Sequence, residues 1–383
     1  MYSENTNKEV GLYIHIPFCK QKCLYCDFPS FCGKESLMLD YAKALAKEIK
    51  SITHRKIGTI FIGGGTPTYL NMEGWNIIKE SIKELNKVED IEFSVEMNPG
   101  TVDKEKLRFL KSMGVNRLSI GLQAWQNKLL KKLGRIHEIK DFIEAYNEAR
   151  EEGFDNINID IMFGLPDQTM EDLKETLEKV VKLNPEHISC YSLIIEEGTI
   201  FNKLYDEEKL NVPTEDIERD MYSYCIKFLK DRGYSQYEIS NFSKEGRECR
   251  HNLIYWDLKE YIGCGSAAHS YIDGTRYRHT ESVEKYIETM NNDKDIKMDL
   301  HKNSLKEDME EFMFMGLRKI KGISTYEFKR RFNKNIIDVY KNTINKYLEN
   351  NLLIMDKGRI CLSPRGIEVS NSVMCDFILE ESK

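Results

Sequence analysis

The chain has 383 residues, of which 41% are hydrophobic and 31% are charged, and its formal net charge is −7 at pH 7. This length indicates two or three domains, and the negative charge argues against a nucleic-acid partner, because phosphate binding needs a basic surface. No apolar run reaches the ~18 residues that span a bilayer, and the polar N-terminus lacks a signal-peptide core. We expect a cytoplasmic protein whose ten cysteines are reduced and include metal ligands.

The first half of the chain alternates between short β-rich runs and amphipathic helical patterns. Between these runs, Leu173, Leu177 and Val180 recur at helical spacing, and Asp103 is placed to cap another helix. Repeated alternation predicts an α/β fold with a parallel sheet, either open or curved into part of a barrel, whose ligands bind beyond the C-terminal strand ends. Strands are predicted at residues 11–16, 59–62, 91–95, 117–122, 157–163 and 187–194.

The second half has a different texture and predicts two further units. Residues 196–300 are less periodic and richer in aromatic and polar residues, and we expect them to extend the core formed by residues 1–195. Residues 305–383 predict a small helical, winged-helix-like domain, with helices at 309–317, 336–350 and 364–379 and a hairpin at 352–362. Its basic run at 329–331 is interpreted as a solvated helix face.

Cys19, Cys23 and Cys26 follow the first predicted strand and lie within eight residues of one another. Three thiolates in one loop fit an iron–sulfur cluster with one iron left open. Two alternatives are a zinc site, which usually needs four ligands in paired C-x2-C form, and three unrelated buried cysteines. Cys32 is a spare cysteine outside this tight spacing.

The second predicted strand runs into consecutive glycines, which let a backbone expose its N–H groups to a ligand. Together with the cysteine loop, this segment makes the chain resemble the HemN-like radical S-adenosylmethionine (SAM) proteins over nearly its whole length. The resemblance implies a partial (β/α)6 TIM-type barrel, with a [4Fe-4S] cluster on Cys19, Cys23 and Cys26 that binds SAM. The matching stretches are YIHIPFCKQKCLYC at 13–26, GGGTPT at 63–68, EMNPG at 96–100, SIGLQ at 119–123, LGRIH at 133–137, NIDIMFGLP at 158–166 and YIGCGSAAHS at 261–270.

The resemblance also implies a role for each residue of a SAM pocket. Read singly, these residues have simpler interpretations: Asp160 as a satisfied buried carboxylate, Arg135 as a surface ion pair and Gln123 as a helix cap. The implied contacts are Gly64, Gly65 and Thr66 with the methionine part of SAM, Glu96 with its ammonium, Arg135 with its carboxylate, Gln123 and Asp160 with its ribose, the backbone at Tyr25 with its adenine, and Tyr13 as a lining residue.

Two features favour the heme-chaperone branch of this family over its coproporphyrinogen III oxidases. Phe28 stands where the oxidase motif has a further cysteine, and only about ten residues precede the first strand. The H-N-x-x-Y-W run at 251–256 offers His251 as a candidate heme ligand, or else it packs locally.

The expectation is therefore a protein that binds heme and passes it to an acceptor protein, which would also provide its only membrane contact. The cluster would receive electrons from a donor such as flavodoxin or ferredoxin and would cleave SAM to a 5′-deoxyadenosyl radical. The alternatives are an oxygen-independent coproporphyrinogen III oxidase, whose activity we do not expect, and a HemN-like radical SAM methyltransferase.

Overall fold

The computed structural model describes residues 8–379. Residues 1–7, which belong to the segment before the first strand used above in the comparison with the oxidases, lie outside this range. Within it, one sheet of twelve strands and one of three organise the fold. The strands are β1 (Glu9–Ile16), β2 (Lys56–Gly64), β3 (Asn86–Met97), β4 (Arg117–Gln123), β5 (Ile157–Phe163), β6 (His187–Ser192), β7 (Ser235–Glu238), β8 (Asn241–Ser243), β9 (Tyr261–Cys264), β10 (His269–Ile272), β11 (Thr275–Arg278), β12 (Met298–Lys302), β13 (Ile323–Ser324), β14 (Leu353–Asp356) and β15 (Arg359–Leu362).

The centre of the large sheet is parallel. Strands β1 to β6 lie side by side in chain order, and β9 joins the outer side of β1 in the same direction. The shorter strands β10 to β12 and β7 to β8 add antiparallel margins. The central strands are apolar because helices cover one face and the other face lines the interior. All six predicted strands are confirmed, and so is the α/β class with its parallel sheet.

Helices connect the parallel strands and pack on the outside of the sheet. In α6, Leu173, Leu177 and Val180 are all buried, as their spacing predicts, and Thr169 forms a capping box with Asp172. Asp103 caps α3 as predicted, accepting from Lys106 N at 2.8 Å. The helices are α1 (Met38–Ser51), α2 (Met72–Lys83), α3 (Lys104–Ser112), α4 (Asn127–Lys132), α5 (Ile139–Glu151), α6 (Met170–Leu183), α7 (Ile200–Asp206), α8 (Glu215–Lys230), α9 (Arg250–Trp256), α10 (Val283–Asn291), α11 (Leu305–Gly316), α12 (Thr325–Phe332), α13 (Ile336–Glu349), α14 (Pro364–Glu368) and α15 (Ser370–Cys375).

The C-terminal part has its own core of apolar residues and a three-stranded sheet in the order β13-β15-β14. The predicted hairpin closes through Lys357 and Gly358, both with positive φ, as a two-residue turn between twisted strands requires. The single helix predicted at 364–379 is wrong, because the backbone leaves helical geometry at Val369 and separates α14 from α15. None of the helices between residues 8 and 379 has the length and apolar character needed to cross a membrane.

Candidate functional site

The predicted cysteine and glycine segments meet at the C-terminal ends of β1 and β2. Gly65 N donates to Ile16 O and Thr66 N donates to Phe18 O, each at 2.8 Å, so the glycine segment is bonded to the start of the cysteine loop. A Cβ on Gly65 would lie 2.8 Å from Phe18 O and 3.0 Å from Cys19 Sγ. Only glycine therefore allows these two segments to approach this closely.

The three predicted cluster ligands are free thiols that lie on one side of this junction. Cys19 Sγ is 3.5 Å from Thr66 Oγ1, and a turn links Cys26 N to Cys23 O at 3.2 Å. Burial raises the pKa of Cys19 and raises the pKa of Cys26 to about 11, and the neighbouring Cys23 raises both further. As thiolates the three groups would repel one another, and a cationic metal group between them would relieve that repulsion. Cys32, the spare cysteine, is exposed.

The arrangement of these thiols bears on which metal group they suit. Within residues 8–379, no three Cys, His, Asp or Glu side chains converge closely enough to hold a single metal ion. A four-iron cluster makes a different demand, because each thiolate binds a different iron atom and the sulfurs stand apart around the cluster. The chemistry of the donor set, three thiols without oxygen or nitrogen ligands, fits such a cluster.

Two predicted carboxylates point into the barrel beside the glycine segment. Glu96 Oε2 accepts from Gly64 N at 3.1 Å, and Asp160 accepts from Ser119 Oγ at 3.1 Å and from Asn158 Nδ2 at 2.8 Å. Burial, and next the charge of Asp160, raises the pKa of Glu96 to about 8; burial also raises the pKa of Asp160. Two half-buried acids, one of which raises the pKa of the other, are poised to receive a cation or hydrogen-bond donors.

Arg135 lies between the cysteine loop and the strand ends and is half-buried. Its Nη2 donates to Asn98 Oδ1 at 2.9 Å and to Gly121 O at 2.8 Å, and its Nη1 lies 3.5 Å from Cys23 Sγ. Its Nε finds no partner among the described residues. Burial raises the pKa of the adjacent Tyr25, although the charge of Arg135 opposes this rise. A half-buried guanidinium with one buried, unused donor and no carboxylate partner among the described residues is not the surface ion pair considered above; it fits an anionic ligand.

Gln123 and Tyr13 complete the ring of predicted residues. Gln123 has a φ of 73°, an uncommon value for a residue other than glycine, and its Oε1 accepts from Tyr191 OH at 3.1 Å. Tyr13 OH lies 3.0 Å from His15 Nδ1, while His15 Nε2 lies 2.8 Å from Pro29 O. Because a carbonyl oxygen only accepts, His15 donates a hydrogen bond through Nε2. The neutral ring then accepts a hydrogen bond from Tyr13 OH at Nδ1.

His251 lies apart from these residues, at the N-terminal end of the barrel. It is 1% exposed, its Nδ1 is 2.7 Å from Thr59 Oγ1 and its Nε2 is 2.9 Å from Tyr255 OH. Glu92 accepts from the His251 backbone N–H at 3.0 Å, and burial lowers the pKa of the imidazole to about 3. In this arrangement neither ring nitrogen is available to a heme iron. Trp256, at the other end of α9, faces the C-terminal domain instead.

Comparison with known proteins identifies this architecture. Residues 13–180 match the family model of the Radical SAM superfamily, and residues 303–369 match that of the HemN C-terminal domain. A Bacillus subtilis protein named Heme chaperone HemW is 38% identical over 96% of this chain and 99% of its own length. The chain belongs to the HemW family of radical SAM proteins.

Two further comparisons extend this result. The Lactococcus lactis protein of the same name is 37% identical over 98% of both chains. The structure of Escherichia coli HemN, a coproporphyrinogen III oxidase and radical SAM enzyme, superposes with a TM-score of 0.85 over 98% of this chain and 91% of its own, at 21% identity. At that identity the superposition shows the shared fold of the HemW and HemN chains. The family implies a [4Fe-4S] cluster and SAM as cofactors.

Several residues around the HemW-family site were missed from the sequence. Asn98 and Tyr191 hold Arg135 and Gln123, and only Asn98 carried a signal, since it belongs to the EMNPG stretch. Arg117 on β4 is a third residue; it is 2% exposed inside the barrel, and its Nη1 donates to Ser94 Oγ at 3.5 Å. Its position in a strand of largely apolar residues gave no indication that it lies inside the barrel.

Proposed function

We propose that the chain is a radical SAM heme chaperone, which binds heme and transfers it to an acceptor protein. The observation that carries the proposal is its similarity, at 37–38% identity over 96–98% of its length, to two proteins named Heme chaperone HemW. Both relatives are covered almost end to end, at 99% and 98% of their lengths. Core and C-terminal domain are therefore both shared, and the proposal concerns the entire chain.

We propose that Cys19, Cys23 and Cys26 hold the cluster and that SAM binds beside them. When bound, the cluster and SAM supply one-electron cleavage of a carbon–sulfur bond. The three thiols lie near one another, and none of the cysteines between residues 8 and 379 forms a disulfide; both observations support the ligand assignment. An electron donor such as flavodoxin or ferredoxin would act on this loop.

The charged groups of the pocket match the two ends of the amino-acid part of SAM. Glu96, already bonded to Gly64 N, accepts from the SAM ammonium, and the positive charge favours the ionised form of Glu96. Arg135 donates to the SAM carboxylate through its unused Nε. The backbone of Gly65 and Thr66, fixed by bonds to the cysteine loop, contacts the methionine part.

The ribose and adenine contacts fall to residues with spare hydrogen-bonding capacity. Asp160 accepts from Ser119 Oγ and Asn158 Nδ2, and since a carboxylate has about four lone-pair positions it can still accept from a ribose hydroxyl. Gln123 accepts from Tyr191 and keeps its amide nitrogen for donation. Tyr13 lines the pocket and the backbone at Tyr25 borders the adenine.

The proposed heme contact rests on Trp256 more than on His251. His251 is the candidate ligand that the sequence predicts, but binding iron would require breaking its bonds to Thr59 and Tyr255, so we expect heme to bind without it. Trp256 borders a cavity between the barrel and the C-terminal domain. An indole face next to a cavity can pack against a porphyrin. The acceptor protein is not identified by any of these features, and we place the exchange in the cytoplasm.

One experiment tests this function against the oxidase alternative. Purified, reconstituted protein is titrated with heme, and about one heme per chain is expected from the visible spectrum. The same protein, given SAM, a strong reductant and coproporphyrinogen III, is expected to form no protoporphyrinogen IX, because Phe28, 60% exposed beside the cluster loop, replaces the oxidase's further cysteine. Robust conversion would reject the chaperone proposal, as would absence of heme binding.

A further inference from the structure

A cavity of about 260 Å³ lies where the end of α9 meets the C-terminal domain. Trp256 and Phe312 give it aromatic walls, and Ile323 adds an apolar floor. The domains are fixed to each other beside it, since Ile239 N donates to Arg318 O at 3.1 Å and Ile320 N to Tyr237 O at 3.0 Å. The cavity is thus formed by two rigidly joined elements, as preformed ligand sites are.

The residues that line this cavity carry a net positive charge. Four cations line it, against two carboxylates, and each carboxylate is shared between two cations. Asp257 pairs with Lys319 and with Lys259. The lining residues that carry charge are Lys259, Lys319, Arg331, Arg359, Asp257 and Glu327.

Two arginines of this lining are held in place without full neutralisation. Arg331 bonds to Glu327 at 2.7 Å, a carboxylate that Arg330 also uses, and to Leu258 O at 3.0 Å. Arg359 donates to two backbone carbonyls, Lys321 O at 2.7 Å and Gly322 O at 2.8 Å. Among the described residues Arg359 has no carboxylate partner, so its orientation is fixed while its charge stays available to a ligand.

Trp256, in the aromatic wall of the cavity, has a buried ring nitrogen without a hydrogen-bond partner among the described residues. Arg318 stacks on the Trp256 ring at 4.5 Å from its centroid. Both Trp256 Nε1 and Arg318 Nε are buried and find no partner in the part of the chain that the structure describes. Of these two residues Trp256 is the one that lines the cavity, and unpartnered buried donors are uncommon in folded proteins.

We propose that this cavity receives the carboxylate-bearing edge of a tetrapyrrole, with its ring against Trp256 and its propionates paired with Arg359 and Arg331. This inference rests on the proposed function and adds the place and the charge chemistry of heme binding to it. The cavity is smaller than the ~300–1,000 Å³ of sites that enclose a drug-sized ligand. It therefore holds one edge of the macrocycle, and the opposite edge stays exposed for transfer.

The test compares heme with heme dimethyl ester, whose propionates carry no charge, on the full-length protein. Arg359→Gln and Arg331→Gln are the test variants. Arg330→Gln is the matched control, because Arg330 shares Glu327 with Arg331 but does not line the cavity. Dissociation constants come from Soret titrations, and circular dichroism and thermal melts verify that each variant is folded.

Each test variant is expected to bind heme about tenfold more weakly, as for one lost charge-assisted hydrogen bond, and to bind the ester as the wild type does. The Arg330→Gln protein is expected to match the wild type with both ligands. Two outcomes with a wild-type protein that binds heme would refute the propionate site: the arginine variants bind heme as well as the wild type, or they lose affinity for heme and ester alike. In either case the chaperone proposal stands. If wild-type protein binds neither ligand, both fall together.

Discussion

Replacing Arg135 with Gln gives the sharpest test of the SAM pocket, because this side chain is charged, half-buried and has a buried, unused donor at Nε. A hydrogen bond to a charged group contributes about 1.5–3 kcal/mol. Loss of that bond to the SAM carboxylate would weaken binding by about tenfold to about 150-fold, at 1.4 kcal/mol per tenfold.

The same substitution also affects folding, and the two effects have to be measured separately. Arg135 Nη2 satisfies Asn98 Oδ1 and Gly121 O, at 2.9 and 2.8 Å. Leaving buried acceptors unsatisfied costs about 1–3 kcal/mol of unfolding free energy. Urea unfolding of the apoprotein measures this cost, and iron and sulfide content shows whether the cluster still assembles next to Cys23.

SAM affinity is then measured by anaerobic equilibrium dialysis on protein with a full cluster. Lys131→Gln serves as the control, because it removes the same charge from an exposed position in nearby α4 and is expected to leave affinity unchanged. Unaltered SAM affinity in Arg135→Gln protein with an intact cluster would refute the assignment of Arg135 to the carboxylate.

Three other predictions follow from the same region. Cys23→Ala should lose the cluster iron and the broad absorption near about 400 nm, whereas Cys32→Ala should keep both. Burial and the charge of Asp160 raise the pKa of Glu96 from 4.5 to about 8. Between these two pH values the folded protein keeps a proton on Glu96 that the unfolded chain releases, so the stability of the apoprotein should fall as pH rises. Glu96→Gln should flatten this fall in urea titrations at pH 6 and 8.5; an unchanged slope would contradict the assigned burial. Gly64→Ala should fail to bind SAM, since its φ is 114° and a Cβ would meet the His15 ring at 2.6 Å.

The parallel centre of the fold was predictable because its signals are local. Strand β5 is apolar at five of its seven positions and buried at six, which is typical of a strand covered on both faces. Caps such as Asp103 and Thr169 mark helix starts through bonds that span three residues. Such patterns need no knowledge of distant residues.

The margins of the sheet could not be predicted in this way. Strand β9 is four residues long and pairs with β1, with Gly11 opposite Tyr261. Four residues carry little periodic signal, and pairing partners 250 positions apart are set by tertiary packing. The same holds for the cavity at the domain junction, whose walls come from α9, α11, α12 and β15.

Within the pocket, motif resemblance predicts which residues contact SAM but not how the chain holds them. The EMNPG stretch placed Glu96 correctly at a strand end, but the bond from Arg135 to Asn98 required the structure. Tyr191 reaches Gln123 from β6, a strand not adjacent to β4. Such contacts depend on the curvature of the sheet, which brings non-neighbouring strands together across its interior.

Helix geometry explains why His251 and Trp256 do not form one surface. Successive residues of an α-helix are 100° apart, so positions i and i+5 point about 140° away from each other, whereas i and i+4 share a face. Accordingly His251 meets Tyr255 at 2.9 Å inside the barrel, while Trp256 faces the cavity on the other side of α9. The H-N-x-x-Y-W run is therefore divided between a face inside the barrel and a face toward the cavity.

Single variants separate these two roles. His251→Ala leaves Thr59 Oγ1 and Tyr255 OH without their partner, so we expect the unfolding free energy to fall by about 1–3 kcal/mol while the Soret position and heme affinity stay as in the wild type. Trp256→Leu removes an aromatic wall, so we expect weaker heme binding, with a loss of about 0.5–1.5 kcal/mol for ring packing. Heme titrations and urea unfolding of both proteins measure these effects. A shifted Soret band in His251→Ala protein that remains folded would show that α9 opens to present this imidazole to iron, and the division of roles would then be wrong.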